Sequence, residues 1–157
     1  REQAPIRKDV NVIWDLAVHD ISILYYLLKQ NPKNMKSLKI NNVKTPKADT
    51  AYINLFYKNK LNVFIKNSWI SPTKIRIMKF KFKKAIIYCD ENESMYKIKI
   101  YSKKNNHLKY NIEIPDIDLT EPLSNLIDYI YRTIRNRDES MFDSLNLNVT
   151  KVLQKLS

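Results

Sequence analysis

Asp15 and His19 stand four residues apart in Trp14-Asp15-Leu16-Ala17-Val18-His19-Asp20, inside a run to Leu28 that is otherwise almost entirely apolar. An imidazole titrates near pH 6.5, so a histidine can take or return a proton at neutral pH. A carboxylate one turn away can orient the ring or accept a hydroxyl hydrogen bond. Residues four apart share a helical face, so Asp15, His19 and Ser22 form a narrow polar stripe. The ordinary alternatives are structural: Asp15 as an N-cap, His19 as a satisfied core histidine, and Asp20 as a structural hydrogen-bond acceptor near the helix start. Two ligands are too few for a metal, and neither an HExxH nor a Cys-rich set exists, so no metal site is expected.

A helix apolar on nearly all sides is a buried one. Burying an unpartnered carboxylate or imidazole costs on the order of several kcal/mol, so this stripe needs a reason. Asn31-Pro32 stops the helix. Seven β-rich runs follow: 35–43, 51–57, 61–69, 74–82, 85–89, 95–101 and 108–114. The alternation Leu108, Tyr110, Ile112, Ile114 is the clearest, and the phase of the Lys74 to Lys84 run shifts near Ile77-Met78, as at a bulge. Short polar connections such as Lys58-Asn59-Lys60 and 103–106 suit antiparallel hairpins. From Pro122 the period becomes helical, with Leu123, Leu126, Ile127, Ile130, Tyr131 and Ile134 on one face and Thr120 as N-cap. A last helix runs from about Ser144 to Leu156. This order predicts an α+β domain over 1–157, with a large, mainly antiparallel sheet and a long N-terminal helix and two C-terminal helices packed on one face.

The chain has 157 residues, 44% of them hydrophobic and 28% charged, enough for one domain with a core. A single cysteine, Cys89, excludes an internal disulfide and fits a reducing, cytoplasmic setting; with no histidine nearby it reads as a core residue. No run reaches the roughly 18 apolar residues that span a bilayer. The start, Arg1-Glu2-Gln3, has no initiator Met and no secretory pattern, which suggests a beginning inside a larger reading frame. Net charge is +12, but the lysines are spread evenly from Lys8 to Lys155, which argues against a focused nucleic-acid footprint. Glycine is absent. Asparagines such as Asn59, Asn67, Asn92 and Asn105-Asn106 must therefore supply positive φ, and no dinucleotide fingerprint or P-loop exists. His107 reads as solvated, and Trp69 and Tyr88 as packing or interface residues.

The segment from Arg7 through Trp14-Asp15-Leu-Ala-Val-His19-Asp20 closely resembles the opening of the substrate domain in the glucose–fructose oxidoreductase / inositol dehydrogenase / MocA family. The resemblance continues in order through Ala48-Asp49-Thr50-Ala51, Asn67-Ser68-Trp69 with Pro72, Lys74 and Arg76, Ile86-Ile-Tyr88-Cys-Asp90, and Glu121-Pro122-Leu123. It implies the substrate-binding and oligomerisation half of an NAD(P)-dependent sugar or nucleotide-sugar dehydrogenase. His19 would then transfer the hydroxyl proton and Asp15 would be its partner or a substrate ligand. Arg7, Lys8 and Asp9 become candidate substrate contacts. The family's nucleotide-binding domain is missing from this chain, so no cofactor is bound by it alone; NAD or NADP is implied for the full-length enzyme. The implied partners are that missing domain, a sugar or nucleotide-sugar substrate, and a second copy through the sheet.

The chain also departs from the pattern. Lys81 stands roughly where the hairpin before Tyr88 usually carries Gly, and the loop near Asn136-Arg137-Asp138 lacks one too. No turnover is expected of the domain in isolation, because hydride transfer needs the cofactor in place. The competing reading is a catalytically inactive basic module that binds nucleic acid or a protein on the same fold.

Overall fold

A computed structural model describes residues 1–43, 47–103, 110–117, 122–136 and 140–157. In chain order its elements are α1 (Val18–Leu28), β1 (Asn34–Ile40), β2 (Thr50–Phe56), β3 (Asn62–Ser68), β4 (Ile77–Lys81), β5 (Ala85–Asp90), β6 (Ile98–Lys103), β7 (Tyr110–Glu113), α2 (Pro122–Asn136) and α3 (Ser140–Leu156). The α+β class and the antiparallel pairing are as the sequence predicts. Pairing divides the strands into two sheets, β1-β2-β3 and β4-β5-β6-β7. The N-terminal segment meets the last residues of β3: Glu2 bridges it in parallel at Ser68, with Gln3 N–H donating to the Ser68 carbonyl at 2.8 Å. Pro72 then lacks the N–H a ladder needs, and regular pairing resumes only at Ile77. Thr120, His107, Leu108, Asn105-Asn106 and Arg137-Asp138 lie outside the described residues. No described helix is long and apolar enough to cross a membrane.

The chain forms two compact units, one of residues 1–74 and 133–157, the other of 75–132. In the first, Asn11 caps the leading helical run: its Oδ1 accepts from the N–H groups of Ile13 (3.0 Å) and Trp14 (3.2 Å). A π-turn at Ile13–Ala17 then leads into α1. Such turns are rare and concentrate at functional sites. α1 ends on Lys29, whose φ of 51° is left-handed and whose N–H reaches the Tyr25 carbonyl at 2.8 Å. Positive φ also occurs at Gln3, Asn59 and Lys60. Of the asparagines expected there, Asn59 has it; Asn67 sits extended in β3 and Asn92 keeps negative φ.

The core of this unit joins Val12, Ile13, Leu16, Ala17, Ile21 and Leu24 to the inner face of β2, Ala51, Ile53 and Leu55, with Ile65 and Trp69 beside them. α3 adds Val149, Val152, Leu153 and Leu156, spaced i, i+3, i+4, i+7, so one helical stripe faces inward. The period of two puts Leu38, Tyr52 and Phe64 on the opposite face of the sheet, all exposed.

In the second unit no described residue is buried. Its register sorts side chains sharply between faces. One row across the sheet reads Lys79, Tyr88, Lys99; the next reads Lys81, Ile86, Tyr101, Ile112; a third sets Lys103 beside Tyr110. The other face carries Met78, Phe80, Ile87, Cys89, Ile98 and Ile100. The bulge expected near Ile77-Met78 does not form: the register of β4 with β5 runs unbroken from Ile77 opposite Asp90 to Lys81 opposite Ile86, and Glu91 N–H donating to the Arg76 carbonyl at 3.0 Å continues it. Tyr110, Ile112 and Ile114 keep their alternation but are exposed. Three members of the predicted apolar stripe of α2, Ile127, Ile130 and Tyr131, are exposed as well.

Candidate functional site

Asp15 lies inside the π-turn with both carboxylate oxygens engaged. Oδ2 accepts from Trp69 Nε1 at 2.8 Å, and Oδ1 accepts from Arg7 Nη1 at 3.2 Å. Its side chain is 18% exposed. Trp69, just past β3, is buried, and its own N–H donates to the Asp49 carbonyl at 3.0 Å. Arg7 also grips Asp9, with Nε donating to Oδ1 at 3.0 Å and Nη2 to Oδ2. The Arg7 hydrogen bond is the main reason the Asp9 carboxyl is lowered to about 2, and the same contact raises the guanidinium. Lys47 donates to the Asp9 carbonyl. Lys8 is exposed beside them.

The N-cap reading of Asp15 gives way to Asn11, which holds the first helical N–H groups. The expectation of a helix buried on all sides also fails. Leu16, Ala17, Asp20, Ile21 and Leu24 face the core, but His19 is exposed, as are Tyr26 and Leu27. His19 is therefore not a core histidine; it makes no hydrogen bond or ion pair among the described residues. Ser22 Oγ donates back to the Val18 carbonyl at 2.7 Å, which ties it to its own helix.

Asp20 is structural. It is buried, and accepts from Arg1 Nε at 3.3 Å and from Asn67 Nδ2 at 3.0 Å. Asp49, in the Ala48-Asp49-Thr50-Ala51 stretch, is fully buried. Burial alone would raise its carboxyl. Donors from Asn42 Nδ2 (2.8 Å), Val43 N–H (3.0 Å), Thr50 Oγ1 (2.9 Å) and Asn42 N–H (2.6 Å) outweigh that and hold it below the usual carboxylate range. The Trp69–Asp15, Asn67–Asp20 and Arg1–Asp20 pairings carry no local sequence signal, because each joins residues distant in the chain. Cys89 is half-buried and its thiol is raised by burial, which disfavours the nucleophilic thiolate.

Among the described residues no three His, Cys, Asp or Glu side chains gather as a metal site. Among the described residues none forms the glycine-rich phosphate turn that usually holds a nicotinamide dinucleotide. The chain has no glycine for a phosphate turn, and the leading N–H groups of the first helical run are already taken by Asn11.

No family model matches the chain, and no curated protein does. Solved structures do match. The UDP-N-acetylglucosamine 3-dehydrogenase of Acidithiobacillus ferrooxidans superposes with a TM-score of 0.82 at 19% identity, over 99% of this chain and 50% of that one. A 3-ketoreductase of Actinomadura kijaniata, solved with TDP-benzene and NADP, gives 0.76 at 8% identity over 99% and 49%. The aldose-aldose oxidoreductase of Caulobacter crescentus, solved with glycerol, gives 0.73 at 10% over 99% and 50%. The chain thus has the fold of one half of these oxidoreductases and spans about half their length. That is the fold the resemblance to the substrate domain implies.

Proposed function

We propose that this chain is the substrate-binding half of an NAD(P)-dependent sugar or nucleotide-sugar oxidoreductase, with the nicotinamide site supplied by another domain. The observation that carries this reading is His19: an imidazole open to solvent, without a partner among the described residues, one turn beyond a carboxylate that Trp69 and Arg7 hold in place. An unpartnered imidazole nitrogen can accept the proton of a bound secondary alcohol and later return it. Asp15 and Asp9 keep lone pairs for sugar hydroxyls. Arg7 already faces two carboxylates, so it orients them more than it attracts an anion; Lys8 is better placed for a phosphate. When bound to its own domain, the nicotinamide nucleotide supplies hydride acceptance, and this chain alone is expected to be inactive.

The test is titration of the labelled protein with UDP-N-acetylglucosamine and with a free hexose, followed by NMR. The His19 ring and the Trp69 indole N–H should shift together, and Asp15→Asn should weaken binding about tenfold. Binding of neither sugar at millimolar concentration, or shifts confined to residues remote from Asp15, would overturn it.

A homo-oligomer is part of the same reading. Leu38 and Phe64 are 61% and 78% exposed on the outer face of the first sheet and line a shallow apolar groove of about 510 Å³ with Tyr52 and Asn54. Sedimentation should show a dimer that Phe64→Glu dissociates.

A further inference from the structure

Four of the lysines that look evenly scattered along the sequence share one face of the second sheet. Its register places Lys79, Lys81, Lys99 and Lys103 on one face, interleaved with three tyrosines. The opposite face has no cation among its paired positions. The Lys79 ammonium lies 5.8 Å from the centroid of the Tyr88 ring, so charge and ring present together. Asp90, paired with Ile77, is the one carboxylate on the basic face among the paired positions, and it stands at one end.

We propose that this lysine–tyrosine face binds single-stranded nucleic acid, independently of the sugar site. Strands about 4.8 Å apart bring rings and ammonium groups of neighbouring strands within reach of successive nucleotides. Unstacked bases gain about 1–3 kcal/mol each on an aromatic ring, while lysines follow the phosphates. A duplex hides its base faces and offers the tyrosines nothing to stack on. A second copy of this chain is the poorer occupant, because self-docking would set lysine rows against lysine rows. The ligand is named by shared chemistry, RNA or DNA, and the test separates them.

Labelled single-stranded DNA and RNA oligonucleotides of mixed sequence, the matching duplex, and heparin as a polyanion without bases are titrated into the intact chain by fluorescence anisotropy. Both single strands, or one of them, should bind more tightly than the duplex. Four phosphate contacts predict a log–log salt slope of about −3. Tyr101→Leu should weaken single-strand binding about five- to tenfold and leave heparin unchanged. Lys79→Gln with Lys99→Gln should flatten the slope to about −1.5. On the unaltered protein, amide shifts should map to β4–β7 and leave the first sheet still, so a variant that fails to fold does not remove the test. No single-strand binding at low salt, equal affinity for heparin and duplex with no effect of Tyr101→Leu, binding to anionic lipid vesicles alone, or shifts confined to the first unit would each overturn the proposal.

Discussion

Trp69 and Asp15 meet through a 2.8 Å hydrogen bond across 54 residues of sequence, the indole N–H donating to the carboxylate. The bond joins the end of β3 to the π-turn ahead of α1, so it fixes where the acidic group of the candidate site stands. Trp69→Phe keeps most of the buried ring and removes only the donor. A hydrogen bond to a charged group is worth about 1.5–3 kcal/mol, so urea denaturation should show a loss in that range. Sugar binding should weaken as well, because Arg7 alone leaves the carboxylate free to turn. An unchanged midpoint would mean that the indole contributes packing only.

The pairing of Asp20 with Arg1 and Asn67 makes a separate structural prediction. The Arg1 and Asp20 side chains are only 8% and 11% exposed. Asp20→Ala removes the carboxylate that accepts from Arg1 Nε and Asn67 Nδ2, and breaking a buried pair costs roughly 3–5 kcal/mol. Thermal unfolding should drop steeply, with sugar binding intact at temperatures where the variant remains folded. His19→Ala should behave in the opposite way: its side chain is exposed and bonded to nothing described, so stability should stay within about 0.5 kcal/mol while ligand binding falls.

The order of elements was legible because each rests on a local period. All seven strands and the two C-terminal helices fall where apolar spacing places them, within a few residues. The polar residues of the first helical run were legible as residues, but their burial was not. Sequence spacing puts Asp15 and His19 on one side of a helix without revealing that Asp20, one residue on, takes the core position through Arg1 and Asn67. The division into two sheets was also hidden, since local periods place strands but do not say which of them pair. In the same way, lysines spaced two apart look scattered in sequence and become a single face once strands pair.

Asp49 predicts a pH dependence. Its carboxyl titrates below the ordinary value near 4 because four donors hold the charged form. A group with a lowered folded pKa contributes stability that is fully present above its unfolded value and is lost as pH falls through the folded one. Folding free energy measured from pH 7 down to pH 2 should therefore decline below about pH 4. Asp49→Asn turns an acceptor into a donor facing donors and should cost roughly 1–3 kcal/mol at pH 7. The difference from the unaltered chain should shrink in acid, and a constant difference across the range would contradict the assignment.

Lys29 closes α1 in the left-handed region with φ 51° and ψ 31°, a conformation that disfavours any residue bearing a Cβ by about 1–2 kcal/mol. Its ammonium recovers part of that by lying 4.3 Å from the Tyr26 ring centroid, a contact worth about 0.5–1 kcal/mol at an exposed site. Lys29→Gly removes both effects, so the net expectation is a gain of about 0.5 kcal/mol in chemical denaturation. Lys29→Ala keeps the strain and loses only the ring contact, and should destabilise. The sign of the difference between these two variants separates backbone conformation from side-chain contact: if alanine matches glycine, the helix end relaxes out of the left-handed region and the strain argument is wrong.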